Sequence, residues 1–180
     1  MSDQSISLVP KISNYPNPEQ KAQEILDWLI HQNIVENVLT DCTLNSEGGY
    51  KIGEGAEKIT NYPNDLRFNL ITNGLAIFTK RQVYDAGENG LDAIICPSCN
   101  KDTSNEQWDS ISTWLEHKTD TVKCPLCNYE TDINAFEFSP AFGFSNLGFT
   151  FWNIPDLTDE FIEIFEQKLE CNVNVVFQHV

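Results

Sequence analysis

Residues 149–180 read FTFWNIPDLTDEFIEIFEQKLECNVNVVFQHV. The run opens on an aromatic, β-prone segment, Phe149–Asn153. Thr158 then stands where a helix N-cap belongs, with Leu157 and Ile162 at the flanking hydrophobic-staple positions. The helix is predicted to reach about Glu170. Phe161, Ile164, Phe165 and Leu169 recur at helical spacing and make its expected buried stripe, while Asp159, Glu160, Glu163, Glu166 and Glu170 stay polar. Val173–Gln178 alternates like a closing strand. Strand, helix and strand in this order predict an α+β fold, with helices packed on a mixed or antiparallel sheet.

Working back towards the N-terminus, Asn17-Pro18 marks a second helix start, with Pro18 at the first helical position and Gln20 in the reciprocal capping slot. Ala22, Ile25, Leu26, Leu29 and Ile30 form a stripe that should face the sheet, and the helix should end near Asn33. Residues 1–16 carry Pro10 and Pro16 and read as irregular. A strand is expected around Val38–Leu44. Residues 45–64 read as a Gly-rich polar loop. Gly48 and Gly53 have the spacing of two P-loop glycines, but Glu54 and Gly55 stand where Lys and Ser/Thr are required, so a phosphate would meet a carboxylate. Leu66–Thr72, Asn73-Gly74 and Leu75–Thr79 read as a hairpin with a type I′ turn. Gln82–Asp85 is expected to extend the same sheet.

The chain has 180 residues, room for a single α+β domain spanning 1–180. Its 27 Asp+Glu against 11 Lys+Arg give a formal charge of −16. A surface that acidic repels phosphate backbones and anionic lipid, so no direct nucleic-acid or membrane partner is expected. The start lacks the basic and apolar regions of a secretory signal, and the expected location is cytoplasmic.

The most specific signal is a pair of near-identical units, Cys96-Pro97-Ser98-Cys99-Asn100 and Cys124-Pro125-Leu126-Cys127-Asn128. A C-x₂-C turn can place two thiolates on one tetrahedral ion, and two such turns close a four-cysteine site. Pro after the first Cys fixes φ. Asn after the second Cys falls where such turns need a left-handed residue, which Asn tolerates. Cys96, Cys99, Cys124 and Cys127 are therefore the expected ligands of a structural Zn²⁺. With four thiolates no coordination position remains for a catalytic water. Trp108, Ile111, Trp114 and Leu115 predict a short helix between the two turns.

Rubredoxin-like iron fits the same ligands. Thiol–disulfide chemistry would need a reactive cysteine in a thioredoxin-like setting, which surrounds neither unit. Two structural disulfides do not suit a cytoplasmic chain. Cys42 and Cys171 read as buried, unreactive thiols. His31, His117 and His179 show no paired spacing, and His117 reads as a surface residue. The aromatic, Gly-containing run Ser139–Asn153 reads as core strand and tight turns, with an exposed partner-anchoring loop as the alternative.

CPSCN and CPLCN resemble the knuckles of a zinc ribbon, which would form an insert over residues 94–130. A wider set of segments carries a second resemblance: ILDWLIHQNIV (25–35), TDCTL (40–44), ICPSCN (95–100), KCPLCN (123–128), GFSNLGFTFWNIP (143–155) and the final strand. Over about residues 20–180 the chain resembles a group of uncharacterised small bacterial proteins often labelled sugar ABC transporter ATPase. No Walker A motif supports that label here. The resemblance implies a bacterial, cytoplasmic, zinc-ribbon-bearing protein and supplies no catalytic residue.

Three functions follow as expectations. The first is a non-enzymatic interaction module for a basic protein, in its sharpest form an acidic immunity or antitoxin protein that masks a basic toxin. The second is a zinc-ribbon regulator of a transcription or nucleic-acid complex. Against it, the span 94–130 sets only Lys101, Lys118 and Lys123 against Asp102, Glu106, Asp109, Glu116, Asp120 and Glu130. The third is an enzyme, with Tyr50, Lys51 and Glu54 of the Gly-rich loop as its candidate site. Nothing in the sequence fixes the oligomeric state.

Overall fold

A computed structural model describes residues 3–180. In chain order the elements are β1 (Gln4–Pro10), α1 (Pro18–His31), β2 (Val35–Thr40), β3 (Gly49–Ile52), β4 (Gly74–Phe78), β5 (Gln82–Tyr84), β6 (Ala93–Ile95), α2 (Asp109–Leu115), β7 (Thr121–Lys123), β8 (Glu130–Asp132), β9 (Glu137–Ser139), β10 (Gly143–Ser145), β11 (Gly148–Trp152), α3 (Asp159–Leu169) and β12 (Val173–His179). Six strands form one antiparallel sheet in the order β12-β1-β11-β4-β3-β2. The architecture is α+β, as the C-terminal strand–helix–strand run predicts.

One face of the sheet carries α1 and α3. Alternation along β1 sends Ile6 and Leu8 to this face, and β11 adds Phe149 and Phe151. Ala22, Ile25 and Leu29 of α1 and Phe161, Phe165 and Leu169 of α3 close over them. The helices meet through Trp28, stacked on Phe161 at 5.8 Å, and Phe165 meets Phe149 edge-on at 5.1 Å. Thr158 caps α3 by accepting from the Phe161 amide at 3.1 Å. Such a cap is worth about 1 kcal/mol. Each fully buried Phe or Leu of the stripe is worth about 1.5–3 kcal/mol, so packing dominates the placement of α3.

Several local expectations fail for physical reasons. Residues 4–10 are not irregular. They form β1, bonded on both sides by β11 and β12. Pro10 is tolerated because it is the last residue of the strand. Asn17 precedes α1 in a left-handed conformation (φ 51°) and makes no side-chain cap. The strand expected at Val38–Leu44 is Val35–Thr40. Residues 45–64 are not one loop, because β3 runs through them between β2 and β4.

Asn73-Gly74 is not a hairpin turn. Asn73 is fully buried, its amide donates to the Cys42 carbonyl and its side chain to the Asn153 carbonyl. A Cβ on Gly74 would lie 2.2 Å from the Cys42 sulfur, so glycine serves close packing there. Ile164 faces outward from α3 instead of joining the stripe. β5 pairs with β10 and does not extend the main sheet.

Because β4 and β11 are neighbours in the sheet, residues 79–147 are a long connection between two paired strands. This connection holds a second apolar cluster: Ile94, Cys96, Trp114, Val122, Cys124, Ile133, Phe136, Phe138 and Phe144. The connection meets the sheet face opposite the two long helices through a small third cluster of Val9, Tyr84 and Val176. There Tyr84 lies so close over β11 that a Cβ on Gly148 would sit 2.2 Å from its hydroxyl.

Polar ties complete the join. Trp114 Nε1 donates to Ser13 Oγ at 2.7 Å, and the Ser13 amide donates to Asp132 at 3.1 Å. Arg81, with a side chain 1% exposed, donates to the carbonyls of Trp114 (3.0 Å) and Thr119 (3.1 Å) and pairs with Asp120. Its guanidinium also stands 4.5 Å over the Trp114 ring. Arg81→Met should keep the stem volume while removing the bonds to the Trp114 and Thr119 carbonyls and the pairing with Asp120. A loss of about 2–3 kcal/mol in denaturant unfolding is expected. An unchanged midpoint would show that these bonds add nothing.

Candidate metal centre

The two C-x₂-C units fold as copies of one turn. β6 delivers Cys96 and β7 delivers Cys124. In the first copy the Cys96 amide donates to the Lys101 carbonyl at 3.1 Å and the Asn100 amide to the Cys96 carbonyl at 3.0 Å. In the second, Cys124 donates to Tyr129 at 2.9 Å and Asn128 to Cys124 at 2.9 Å. The flanking strand pairings match as well, Ile95 with Asp102 and Lys123 with Glu130. Asn100 and Asn128 have φ of 55° and 60°. Both asparagines thus adopt the left-handed conformation that the sequence requires of them.

The turns face each other and bring four sulfurs within 4.8 Å of one another. Cys96 Sγ lies 3.8 Å from Cys127 Sγ, and Cys99 Sγ lies 4.0 Å from Cys124 Sγ. A disulfide needs about 2.05 Å between sulfurs, so these are four free thiols. Four Zn–S bonds of about 2.3 Å in a tetrahedron put sulfurs about 3.8 Å apart, close to the two shortest separations here, within a cluster that spans no more than 4.8 Å. The donor set and geometry therefore fit a four-coordinate thiophilic cation.

The electrostatics of the turns favour thiolate at one position above all. Burial pushes the Cys96 thiol up, but the amides of Cys99 and Ser98 and the thiols of Cys124 and Cys99 outweigh it and bring Cys96 down to about 7. The Ser98 amide donates to its sulfur at 3.4 Å. At Cys124 burial wins, aided by the Cys127 and Cys96 thiols, and the group is held above the ordinary thiol value despite the amides of Cys127 and Leu126. Cys96 and Cys124 are buried, Cys99 is half-buried and Cys127 is exposed. Trp114, fully buried beside Cys96 and Cys124 in the second apolar cluster, comes from α2, the helix predicted between the turns.

The other candidate residues do not converge. Tyr50 opens into a recess beside α1, whereas Lys51 and Glu54 line a different one with Glu36 and Glu57. Adjacent strand residues point to opposite faces, which separates Tyr50 from Lys51. His31 ends α1, His179 ends β12, and exposed His117 follows α2 in a left-handed conformation. Cys42 is buried, and burial pushes the half-buried Cys171 thiol up. Phe144, Phe149, Phe151 and Trp152 are buried, so this aromatic run builds core. Arg81 escaped the sequence reading, since nothing in its spacing separates it from a surface arginine. No protein-family model, curated protein or solved structure matches the chain.

Asn128→Gly should leave the unfolding midpoint unchanged or raise it. Asn128→Val, which places a β-branched residue at positive φ, should cost about 1–2 kcal/mol. Equal midpoints for the two variants would refute the conformational role assigned to Asn128.

Proposed function

We propose that this chain is a non-enzymatic, zinc-stapled interaction module, and that its target is a basic protein. The observation that carries the reading is uncompensated charge. The formal charge is −16. Ion pairs between described residues engage only Glu24, Glu116, Asp120, Glu130 and Glu170. Most of the carboxylate charge is therefore free to act on a partner. An acidic field speeds and orients encounter with a basic protein, and makes that encounter salt-sensitive.

The sharpest form of the reading is an immunity or antitoxin protein that covers a basic toxin. Zinc is the favoured ion for the thiolate cluster because it takes four sulfurs without redox chemistry. Its role is to hold the connection between β4 and β11 in shape. Cys96, Cys99, Cys124 and Cys127 would hold it, and no coordination position is left for a substrate. The paired turns would then make the zinc ribbon. Among the described residues no helix is long and apolar enough to cross a membrane.

Two measurements test the reading separately. Metal analysis of the purified chain should give one zinc per chain. Cys96→Ser and Cys124→Ser should lose it and melt roughly 10 °C lower or more, since zinc binding contributes folding free energy. Full zinc content with unchanged melting would remove the assignment.

For function, tagged chain should capture a stoichiometric basic protein from its native host at low salt and release it at high salt. The captured protein should have a toxic or nucleolytic activity that the chain inhibits. Finding no enriched basic protein, or one retained at high salt, would refute the acidic-docking reading.

A further inference from the structure

β2 is an outer strand of the six-stranded sheet. One side bonds to β3, and among the described residues no backbone hydrogen bond reaches residues 36–40 from any other element. Val38 and Leu39 are 60% and 59% exposed, and Leu44 just beyond is exposed as well. Edge strands invite a further strand unless something guards them. The register with β3 shifts between Val35 and Leu39, a bulge that blunts the first half of the edge. Pairing resumes at Leu39 and Thr40, so the second half remains open. The usual guard is lysine, but here the charges on and next to the strand are Glu36 and Asp41. Carboxylates deter another acidic strand and admit a basic one.

Beside this edge, between α1 and strands β2–β4, lies a recess of ≈ 300 Å³. Leu26, Leu39, Tyr50 and Ile77 give it apolar walls, and its charged lining groups are Glu19 and Glu47. A lysine or arginine side chain suits this combination. Its methylenes can lie along apolar walls while its head meets carboxylates. A second copy of the chain suits it badly. Each copy carries −16, and pairing β2 with itself would set Glu36 and Asp41 against the same residues.

We propose that β2 docks an extended basic segment of the partner as a seventh strand, with a lysine or arginine side chain seated in the recess walled by Leu39 and Tyr50. The proposal rests on the reading above that the partner is basic. Backbone pairing along the edge supplies affinity, and the recess beside it selects the side chain.

The test uses the ¹⁵N-labelled full chain and a short fluorescent peptide of alternating lysine and valine. Amide shifts should concentrate in residues 36–40 and on the recess walls, and binding should weaken with salt. The double variant Val38→Lys/Leu39→Lys, at exposed positions and checked for an unchanged melt, should weaken the complex about tenfold or more. Glu19→Lys/Glu47→Lys should also weaken it without touching the strand. A peptide with proline at alternate positions, which lacks the pairing amides, should fail to bind.

Equal binding of the proline peptide, shifts centred elsewhere, or a double variant that binds like the parent would each overturn the proposal. So would a concentration-dependent dimer that the double variant abolishes, since a second copy would then own the edge. If the host's basic protein is captured equally by chain and double variant, the edge assignment falls and the basic-partner reading stands. If the host yields no basic partner, both fall.

Discussion

Four sulfur atoms held within 4.8 Å of one another are the constraint around which residues 79–147 are organised. Packing alone gives little reason for that convergence. Thiols are weak hydrogen-bond partners, and each thiolate added to the cluster repels the others. At about 4 Å two like charges cost about 4 kcal/mol at an effective dielectric of 20. The backbone amides of each turn offset part of this, as the lowered Cys96 thiol shows. A bound cation reverses the sign of the problem. On the zinc reading, the same charge density that would open the apo cluster drives its closure. The repeated turn is then explained, because two turns of one geometry supply two pairs of ligands related by the same hydrogen-bond pattern.

The centre is linked mechanically to the rest of the chain through α2. Trp114 shares the apolar cluster of the buried cysteines, meets Phe144 edge-on, and donates its indole to Ser13 in the link between β1 and α1. Arg81 holds the end of the same helix from the other side. A buried arginine is expensive unless its donors are used, and here two carbonyls, a carboxylate and an aromatic face share the charge. On the zinc reading, ordering of the thiolate cluster, placement of Trp114 and registration of the connection on the sheet are coupled. On the proposed interaction-module reading such coupling is useful, since the acidic surface keeps a fixed pattern only if both layers stay in place.

The sequence was legible where one local signal had no competitor. Thr158 and the Phe161–Leu169 stripe read as a helix because cap, spacing and polar face agree. The cysteine turns read correctly down to the sign of φ at Asn100 and Asn128, since a C-x₂-C turn leaves few backbone options. Legibility failed where tertiary contacts chose among local options. Ser5–Val9 alternates like a strand, but Pro10 and Pro16 just beyond argue for an irregular segment, and only pairing with β11 and β12 on both sides decides the matter. Asn73-Gly74 has strong turn chemistry, but burial against Cys42 and Asn153 converts it into the start of β4. Ile164 fits the helical period of its stripe but sits at its margin and stays exposed.

Charge and contact have different jobs in a protein like this. At physiological salt the field of a surface carboxylate decays over about 8 Å, so on the proposed reading the excess acidity would govern how a basic partner arrives and how it is oriented. It discriminates poorly between one basic protein and another, because carboxylates spread over α1, α3 and the second layer look alike to any cation. Selection requires short-range features that only one partner can satisfy. On the reading advanced above, the open half of β2 supplies them: unpaired backbone groups of fixed spacing, two exposed apolar side chains, and a recess whose walls are apolar and whose charges are negative. Steering by the whole surface and recognition by one edge are then separable: salt screens the first, and loss of the pairing groups or of the recess removes the second.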